Sequence, residues 1–459
     1  MNKNISIRKA RIFYTDEQKV YYIENDDKSN KINSHSVRDK RKYMNEGYNY
    51  FEAQKDYKKT PEDLIRYKFD FNTYLDCVEN DYFNKLKIKY EYRTKYSHND
   101  AVFRLYKYLQ TRQLKPLNMD KIEDYEFERI EMCYNGALVV MNEKFIDKIV
   151  ESFGNDYSSY YPNLLYSGLL FLPYKKGHLT TIKELDYNNL KYGIYKCVIN
   201  KKTIEVEEYK LNEKKKPKEP KNPELFKFNN DNYYTHLDIE FCSKYPDKYE
   251  IYLCQEGNNL LYWNENELIN TKDIVSNWFE TLSKIKKELK DNFVIKRMIT
   301  SLWGSWTKFN REFFDENEID NLSISRLGSS YKTEYKIIEV HTYPDDSEIG
   351  YKKVYECVKS SNAYSNEFAR IKPFLMSFSR LNMADIILSN NLENNLIRIH
   401  TDSIILSEPF DYSKHYDYYP IPETKSTGLI KWYNSNKYFH ICKKCNNEFK
   451  FKDFTNHKC

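Results

Sequence analysis

The stretch DYSSYYP, residues 156–162, decides the fold prediction, and it begins with a carboxylate placed shortly after a predicted strand. Two later segments belong with it. KRMITSLWG (296–304) ends a long helical run, and HTDS (400–403) lies inside a short apolar strand. Each segment alone is ordinary, because an aspartate beside a strand usually serves a turn or a cap. The order of the three segments and their residue identities, taken together, are far more specific than any one segment.

The residue types in these segments suit in-line phosphoryl transfer between nucleotides. That reaction uses two divalent metals about 4 Å apart, carboxylate oxygens that bind hard cations, and basic side chains that hold a triphosphate. Asp156 and Asp402 can supply the carboxylates, and Lys296 with Arg297 can supply the basic groups. We therefore predict that the two aspartates lie on adjacent strands.

The three segments resemble the palm motifs of the B-family DNA polymerases, and within them the protein-primed branch of phages, viruses and linear plasmids. In that family the motifs read D-x-x-S-L-Y-P, K-x-x-x-N-S-x-Y-G and Y-x-D-T-D-S. CYNGALVVMNEKF (133–145) resembles the family's Y-x-G-G segment, and GLIKWYNSNKYF (428–439) resembles its K-x-Y region. The resemblance implies an α+β right-hand polymerase fold, with an antiparallel-sheet palm and helical fingers.

The resemblance also implies roles for individual residues. Asp156 and Asp402 would be the catalytic residues and would hold two Mg²⁺ or Mn²⁺ ions. The residues implied in binding the incoming deoxynucleotide are Ser159, Tyr161, Lys296, Thr300, Trp303 and Gly304. The residues implied in contacting primer–template DNA are Tyr134, Gly136, Arg380 and Lys437. Tyr161 would lie under the sugar, where an aromatic ring excludes a 2′-hydroxyl.

The chain departs from the family pattern at several motif positions. His400 stands where the family has the first aspartate of D-T-D, and a neutral imidazole ligates Mn²⁺ better than Mg²⁺. Thr300 replaces Asn, Trp303 replaces Tyr, and Arg398 replaces the Tyr that opens the third motif. The alternative to an active enzyme is therefore a catalytically degenerate, polymerase-like DNA-binding or assembly protein.

Acidic residues for a proofreading exonuclease are sparse. No D-x-E occurs in residues 1–60, although Asp70 matches the last carboxylate of that domain. Asp124-x-Glu126 comes too late, and we interpret it as an exposed helical pair. Asp238-x-Glu240 follows the first palm motif, and we interpret it as part of a strand before the fingers. These observations predict no proofreading and a truncated exonuclease-like remnant.

The C-terminal residues carry a candidate zinc knuckle. Cys442-x-x-Cys445 and His457-x-Cys459 supply four ligands suited to tetrahedral Zn²⁺. The H-x-C spacing is unusual, and surface cysteines in a tail are the alternative. The chain ends about twenty residues after the Lys437 region, so a full thumb is not expected. Lysines between the ligands suggest that the knuckle holds duplex DNA where a thumb would lie.

Six segments are expected along the chain: an N-terminal region (1–133), the first part of the palm with an insertion (134–271), the fingers helices (272–306), a second insertion (307–367), the second part of the palm (368–440) and the zinc knuckle (441–459). In the protein-primed branch the first insertion meets a terminal priming protein, so such a partner is expected beside DNA and deoxynucleotides. NEKKKPKEPKNPE (212–224) is either a solvated linker or a phosphate-contacting loop.

Hydrophobic periodicity predicts several individual elements. Helices are expected over 101–112, 272–306 and 368–390. Strands are expected at the buried segment 136–142, at a pair within 191–211, at YYTHLDIEF and YEIYLC, and at 396–406. Pro61 after Thr60 marks a further helix start.

Composition excludes other classes of protein. Aromatic residues make up 16% of the 459 residues, which argues against wholesale disorder, and the 11 glycines argue against a Gly-rich scaffold. The longest apolar stretch, NLLYSGLLFLPY (163–174), is too short to span a bilayer. Nothing resembles a signal peptide, and scattered cysteines fit a reducing compartment. We expect an intracellular protein of viral or mobile-element origin in its host cell, without a membrane partner.

Overall fold

The structure is a computed structural model, and it describes residues 12–15, 20–23, 33–35, 49–50, 98–110, 117–202, 223–288, 293–327, 332–344, 351–412, 422–445 and 447–450. The helix expected after Thr60, Asp70, most of the 212–224 segment, His457 and Cys459 lie outside these residues. The chain divides into two compact units. The first comprises residues 1–124 and 274–369, and the second comprises 125–273 and 370–459.

The strands are numbered in chain order: β1 Ile12–Thr15, β2 Val20–Ile23, β3 Asn33–His35, β4 Asn49–Tyr50, β5 Val139–Met141, β6 Ile149–Asp156, β7 Phe171–Pro173, β8 His178–Thr180, β9 Gly193–Lys201, β10 Tyr233–Thr235, β11 Tyr249–Leu253, β12 Leu260–Tyr262, β13 Leu268–Asn270, β14 Arg311–Asp315, β15 Ile324–Arg326, β16 Tyr335–Pro344, β17 Tyr351–Lys359, β18 Leu396–His400, β19 Ser403–Leu406, β20 Glu423–Asn434, β21 Lys437–Ile441 and β22 Glu448–Phe449.

The α-helices are α1 His98–Gln110, α2 Asp124–Cys133, α3 Tyr160–Tyr166, α4 His236–Lys244, α5 Thr271–Glu288, α6 Phe293–Trp306, α7 Glu316–Ile319 and α8 Lys372–Ser389. A 3-10 turn, Glu367–Ile371, leads into α8. No helix among the described residues has the length and apolar character that crossing a membrane requires.

The second unit is built on a seven-stranded antiparallel sheet with the order β22-β21-β20-β6-β19-β18-β5. Its central strand β6 pairs with β19 on one side and with β20 on the other. The apolar side chains of Ile397, Ile405, Ile430 and Trp432 form a fully or almost fully buried cluster on this sheet. A second sheet of the same unit has β9 at its centre, paired with β10, β11 and β12.

The first unit contains a smaller sheet with the order β14-β17-β16-β15 and most of α5 together with α1 and α6. Trp306 stacks on Phe368 with 4.8 Å between the ring centroids, and Tyr106 meets Trp306 edge to face. On α5 the predicted apolar face is confirmed, because Ile274, Trp278, Leu282 and Ile285 are all buried. Aromatic side chains therefore form much of this core.

Several predicted elements differ in the structure. The run 272–306 forms two helices, α5 and α6, and the segment at 136–142 forms an edge strand in which Val139 is 44% exposed. The 396–406 segment is a hairpin, β18–β19, and not a single strand. In the 191–211 segment, β9 covers Gly193–Lys201, and the second strand of the predicted pair falls on residues 203–211, which lie outside the described residues. Helices α1 and α8 and strand β11 match the predictions.

The prediction of a strand through YYTHLDIEF is wrong beyond its first three residues. β10 stops at Thr235, and α4 begins immediately. The Thr235 side chain accepts a hydrogen bond from the Asp238 amide, while the Asp238 carboxylate accepts one from the Thr235 amide. This reciprocal capping box favours a helix start and overrides the strand-like spacing of the apolar residues.

Candidate active site

The two predicted catalytic aspartates lie at one end of the central strands of the seven-stranded sheet, a place that we call the carboxylate edge. Asp156 is the last residue of β6, and Asp402 lies in the turn between β18 and β19. Ser403 is the direct cross-strand neighbour of Asp156, and the Tyr157 amide donates a 2.8 Å hydrogen bond to the Asp402 carbonyl. Asp402 therefore lies in the turn that leads into β19, the strand adjacent to β6, and not on a strand itself, and both residues are half-buried.

Unusual backbone conformations flank both aspartates. Thr401, directly before Asp402, has a φ of 61°, and Ser159, which precedes α3, has a φ of 52°. Residues other than glycine rarely adopt this left-handed region, and such conformations concentrate at functional sites. Thr401 allows the tight turn that presents Asp402, and its amide donates a 2.9 Å hydrogen bond to the Leu138 carbonyl.

His400 occupies the end of β18, two residues before Asp402. Its Nε2 atom lies 3.2 Å from Oδ1 of Asn436, at the tip of the β20–β21 hairpin. Partial burial, and then the positive charge of Arg398, lower the pKa of the His400 imidazole. The contact brings the tip of this hairpin to the turn that carries Asp402.

Lys437, the predicted primer-contacting residue, begins β21 and is exposed. The same hairpin contains a K-x-Y sequence that our prediction did not use, Lys431-Trp432-Tyr433. In the structure Lys431 forms a 2.8 Å ion pair with Glu448, whose carboxylate also accepts a hydrogen bond from the Tyr433 hydroxyl. Lys431 is therefore neutralised within the chain, whereas the ammonium of Lys437 lies 5.1 Å from the Tyr433 ring centroid.

Tyr161, on α3, links the carboxylate edge to a second group of predicted site residues. Burial raises the pKa of its hydroxyl to about 12, and the negative charge of Asp402 contributes to the rise. Tyr134 and Arg380 also influence the pKa of Tyr161. Its hydroxyl is therefore within electrostatic range of three other predicted residues, although those residues are far apart in sequence.

The Tyr134–Ala137 segment is held by side chains from α8. Arg380 Nη1 donates a 3.0 Å hydrogen bond to the Gly136 carbonyl, and Lys372 Nζ lies 4.3 Å from the Tyr134 ring centroid. Gly136 has a φ of 49°, a conformation that favours glycine. Tyr134 is 37% exposed, so part of its ring faces solvent.

Arg380, a predicted DNA-contacting residue, is buried, with only 3% of the residue exposed. Its Nη2 atom lies 3.1 Å from Asp238 Oδ1, and it also donates to Ser377. Asp238 Oδ2 in turn accepts hydrogen bonds from Thr235 and Ser377. These hydrogen bonds hold the Arg380 guanidinium against the Gly136 carbonyl. Arg380 therefore positions the Gly136 segment.

Sequence reasoning missed two acidic residues near these elements. Asp238 was interpreted as a strand residue, whereas it is the buried partner of Arg380. Glu423 stands directly across from Asp156 in the register of β20 with β6. Nothing in the residue spacing identifies either partner, because each pairing joins segments more than 100 residues apart.

The four nucleotide-binding residues predicted in the second motif lie on α6, in the first unit. Lys296, Thr300 and Trp303 follow a spacing of four and three residues, which places them on one face of the helix. All three are half-buried, while the neighbouring positions Ile295, Met298, Ile299, Leu302 and Trp306 are buried. A Cβ atom built on Gly304 would meet no atom within 4 Å.

The first two predicted zinc ligands lie at the turn between β21 and β22. The Cys442 amide donates a 3.2 Å hydrogen bond to the Asn447 carbonyl, and the Lys444 amide points at the Cys442 sulfur at 3.4 Å. An amide directed at sulfur favours the thiolate that zinc requires. The four-ligand prediction stays a prediction, since His457 and Cys459 are outside the described residues.

A separate cluster in the first unit combines Glu339, His341 and Glu356, whose ligand atoms all lie within 4.8 Å of one another. Arg311 lies 2.8 Å from Glu356, and His341 Nε2 lies 3.0 Å from the same carboxylate. These contacts form a cross-strand ion-pair cluster that already neutralises Glu356.

Comparison with solved structures shows that the chain has a DNA-polymerase-like fold, with mixed helices and antiparallel sheets. The solved structures to which it is similar include those of Phi29 DNA polymerase. The ternary complex with primer–template DNA and incoming nucleotides has a TM-score of 0.53 and 12% sequence identity, covering 96% of this chain and 89% of that chain. The complex with single-stranded DNA has a TM-score of 0.50 and 14% identity, covering 82% and 63%.

In the alignment with the binary primer–template complex, at a TM-score of 0.49, this chain spans only 56% of the polymerase chain. No protein-family model and no curated protein sequence matches the chain. The comparisons therefore establish similarity of fold.

Proposed function

We propose that this chain is a template-directed DNA polymerase that adds deoxynucleotides to a primer 3′ end. The observation that carries the proposal is the carboxylate edge, where Asp156 ends β6 and Asp402 occupies the turn of the adjacent hairpin. This arrangement occurs in a chain whose fold is similar to that of a DNA polymerase.

Two divalent ions, Mg²⁺ or Mn²⁺, fit the chemistry of this donor set, because hard cations prefer carboxylate oxygens. Asp156 and Asp402 would hold them, and the ions would stabilise the charge on the attacking and leaving oxygens. The strained turn at Thr401 supports this role, since it fixes the direction of Asp402. His400 would accompany the pair as a neutral neighbour bonded to Asn436.

The remaining predicted residues would bind the substrates. Tyr161 would lie under the sugar, where its aromatic ring would exclude a 2′-hydroxyl. Ser159 would contact the triphosphate. On α6, Lys296 would contact the phosphates, while Trp303 would stack on the nascent base pair beside Thr300 and Gly304. The shared half-buried face of α6 supports this assignment.

The DNA strands would be held by residues on either side of the carboxylate edge. Tyr134 and Gly136 would contact the template. The buried Arg380 would position their segment through its hydrogen bond to the Gly136 carbonyl. Lys437 would contact the primer, which is supported by the adjacent Asn436–His400 contact. Membership of the protein-primed branch, a priming-protein partner and replication of a viral or mobile-element genome are part of the same proposal.

Primer extension with Mg²⁺ and with Mn²⁺ tests the proposal. We expect the unmodified chain to extend a primer, and we expect Asp156→Ala and Asp402→Ala each to abolish extension. Asp247→Ala is the matched control, because Asp247 is an exposed aspartate of the same unit. No extension in either metal, or equal extension by all four proteins, would refute the enzymatic function.

A catalytically degenerate DNA-binding protein is the second candidate, and His400 in place of the family's aspartate favours it. This candidate predicts that the chain binds primer–template DNA with undiminished affinity after Asp402→Ala and extends no primer in either metal. The same experiment therefore separates the two candidates.

The candidate zinc knuckle would bind one Zn²⁺ through Cys442, Cys445, His457 and Cys459. The Lys444 amide directed at the Cys442 sulfur supports a thiolate there. We expect one zinc ion per chain in purified protein, lost in Cys442→Ser and retained in Cys254→Ser. Absence of zinc, or equal zinc in both variants, would contradict the assignment.

A further inference from the structure

Three basic side chains surround the Tyr134–Ala137 segment, and two of them are paired with acids. Lys372 Nζ lies 2.6 Å from Glu131, and Arg380 lies 3.1 Å from Asp238. Lys227 differs. Its Nζ atom donates a 3.3 Å hydrogen bond to the Ala137 carbonyl, and no carboxylate among the described residues pairs with it.

Gly136 leaves the space that the Lys227 ammonium occupies. A Cβ atom on Gly136 would lie 3.2 Å from Lys227 Nζ, which is tighter than ordinary contact. The neighbouring residue Asn135 strengthens the placement, because its side-chain amide donates a 2.7 Å hydrogen bond to the Lys227 carbonyl. The backbone on both sides of this contact is therefore fixed, and the ammonium is aimed at the glycine turn.

Among the described residues, no acidic partner compensates the charge of Lys227 on its solvent side. Lys227 is exposed, whereas Arg380 behind the turn is buried and already bound to Asp238. Partial desolvation and the positive charge of Arg380 both lower the pKa of Lys227. The Lys227 ammonium is repelled by Arg380 on its protein side and faces solvent on the other side. An anion bound on the solvent side would therefore stabilise it.

We propose that Lys227 and the turn at Gly136 form a phosphate site for the backbone of a nucleic-acid strand. The inference rests on the proposed polymerase function, and it adds a DNA-contacting residue that lies outside all five motifs. A phosphodiester is favoured over a free triphosphate because the half-exposed ring of Tyr134 lies in the same segment. A basic group beside an exposed aromatic ring is the usual combination for holding a nucleic-acid strand.

The test is the salt dependence of DNA binding, measured by fluorescence anisotropy with a labelled primer–template duplex in EDTA. We expect Lys227→Ala to weaken binding and to reduce the slope of log K against log salt by about one. Lys227→Arg should restore the slope. Lys248→Ala is the matched control, since Lys248 is already paired with Glu393 at 3.1 Å, and it should behave as the unmodified chain.

A second measurement compares the effect of Gly136→Ala on DNA affinity in two backgrounds. If its Cβ acts by displacing the ammonium, the affinity lost on Gly136→Ala should be smaller in the Lys227→Ala background than in the unmodified chain. A free triphosphate as the true ligand would appear as weaker deoxynucleotide binding by Lys227→Ala with an unchanged DNA slope, and that result would overturn the inference.

An unchanged slope in Lys227→Ala would overturn the inference by itself, and primer extension by the same preparation would show that the proposed function stands. If the unmodified chain bound no DNA, the inference and the proposed function would fail together.

Discussion

Three buried ion pairs connect α2 and α4 to α8 and the turn before it. Glu126 pairs with Arg370, Glu131 with Lys372, and Asp238 with Arg380. Buried charges are costly unless each is paired and hydrogen-bonded. We infer that these pairs fix the register of α8, whose residues Lys372 and Arg380 contact the Tyr134–Gly136 segment.

The Glu126–Arg370 pair gives a residue-scale prediction. Both side chains are fully buried, and Arg370 contacts both carboxylate oxygens at 2.8 Å. Glu126→Gln leaves a buried guanidinium without its counter-charge, so we expect the unfolding free energy to fall by about 3–5 kcal/mol. Urea denaturation followed by tryptophan fluorescence measures this change.

Two controls accompany Glu126→Gln. Asp124→Asn, at the exposed start of the same helix, should change the unfolding free energy by less than about 0.5 kcal/mol. The double variant Glu126→Met with Arg370→Met should recover much of the loss, because it leaves no unpaired charge. Similar losses for Asp124→Asn and Glu126→Gln would contradict this role of the pair.

The sequence could not predict these pairs. Asp124-x-Glu126 was expected to be an exposed helical pair, and the expectation is wrong for Glu126, which is buried. The residue spacing indicates that Glu126 lies on a helix. It does not identify the partner, Arg370, which is 244 residues away in the sequence. Charge in the sequence suggests a solvated face, and only tertiary packing decides which acids are covered.

At the scale of elements, the β20–β21 hairpin carries two lysines with different surroundings. Lys431 is neutralised by Glu448 on β22, whereas Lys437 is exposed beside the residue that contacts His400. We expect Lys437→Ala to weaken primer–template binding several-fold, because it removes a phosphate contact. Lys431→Ala should leave binding nearly unchanged.

Both variants are measured by the same equilibrium DNA titration at one salt concentration. A larger loss of affinity for Lys431→Ala than for Lys437→Ala would contradict the assignment of Lys437 to the primer strand. The comparison is matched, since both residues belong to one hairpin and differ mainly in the acid partner.

Elements differ in how well the sequence predicts them. The regular apolar spacing of α5 and the long apolar run of α8 predict helices that the structure confirms. The helix after Thr235 was missed because its start depends on a four-residue capping box and not on apolar periodicity. The turn at Thr401 was missed because β-branched and apolar residues surround it, and its left-handed backbone is unusual for threonine.

At the scale of the whole molecule, the order of the motifs predicts the polymerase-like fold. Residues from separate motifs come together: Asp156 ends β6, and Asp402 lies in the turn that leads into the adjacent strand β19. The sequence could not predict Lys227 or Asp238 as neighbours of Gly136 and Arg380, because Lys227 and Asp238 lie in segments that carry no motif. The division of the chain into palm, fingers and insertion segments stays a prediction.

The most direct test of template-directed synthesis is single-nucleotide incorporation on four duplexes that differ only in the first unpaired template base. Each deoxynucleotide is offered separately, with Mg²⁺ and with Mn²⁺, to the unmodified chain and to Asp402→Ala. We predict that the unmodified chain incorporates the nucleotide complementary to each template base and that Asp402→Ala incorporates none. Absence of incorporation, or incorporation of the same nucleotide on all four templates, would contradict the account.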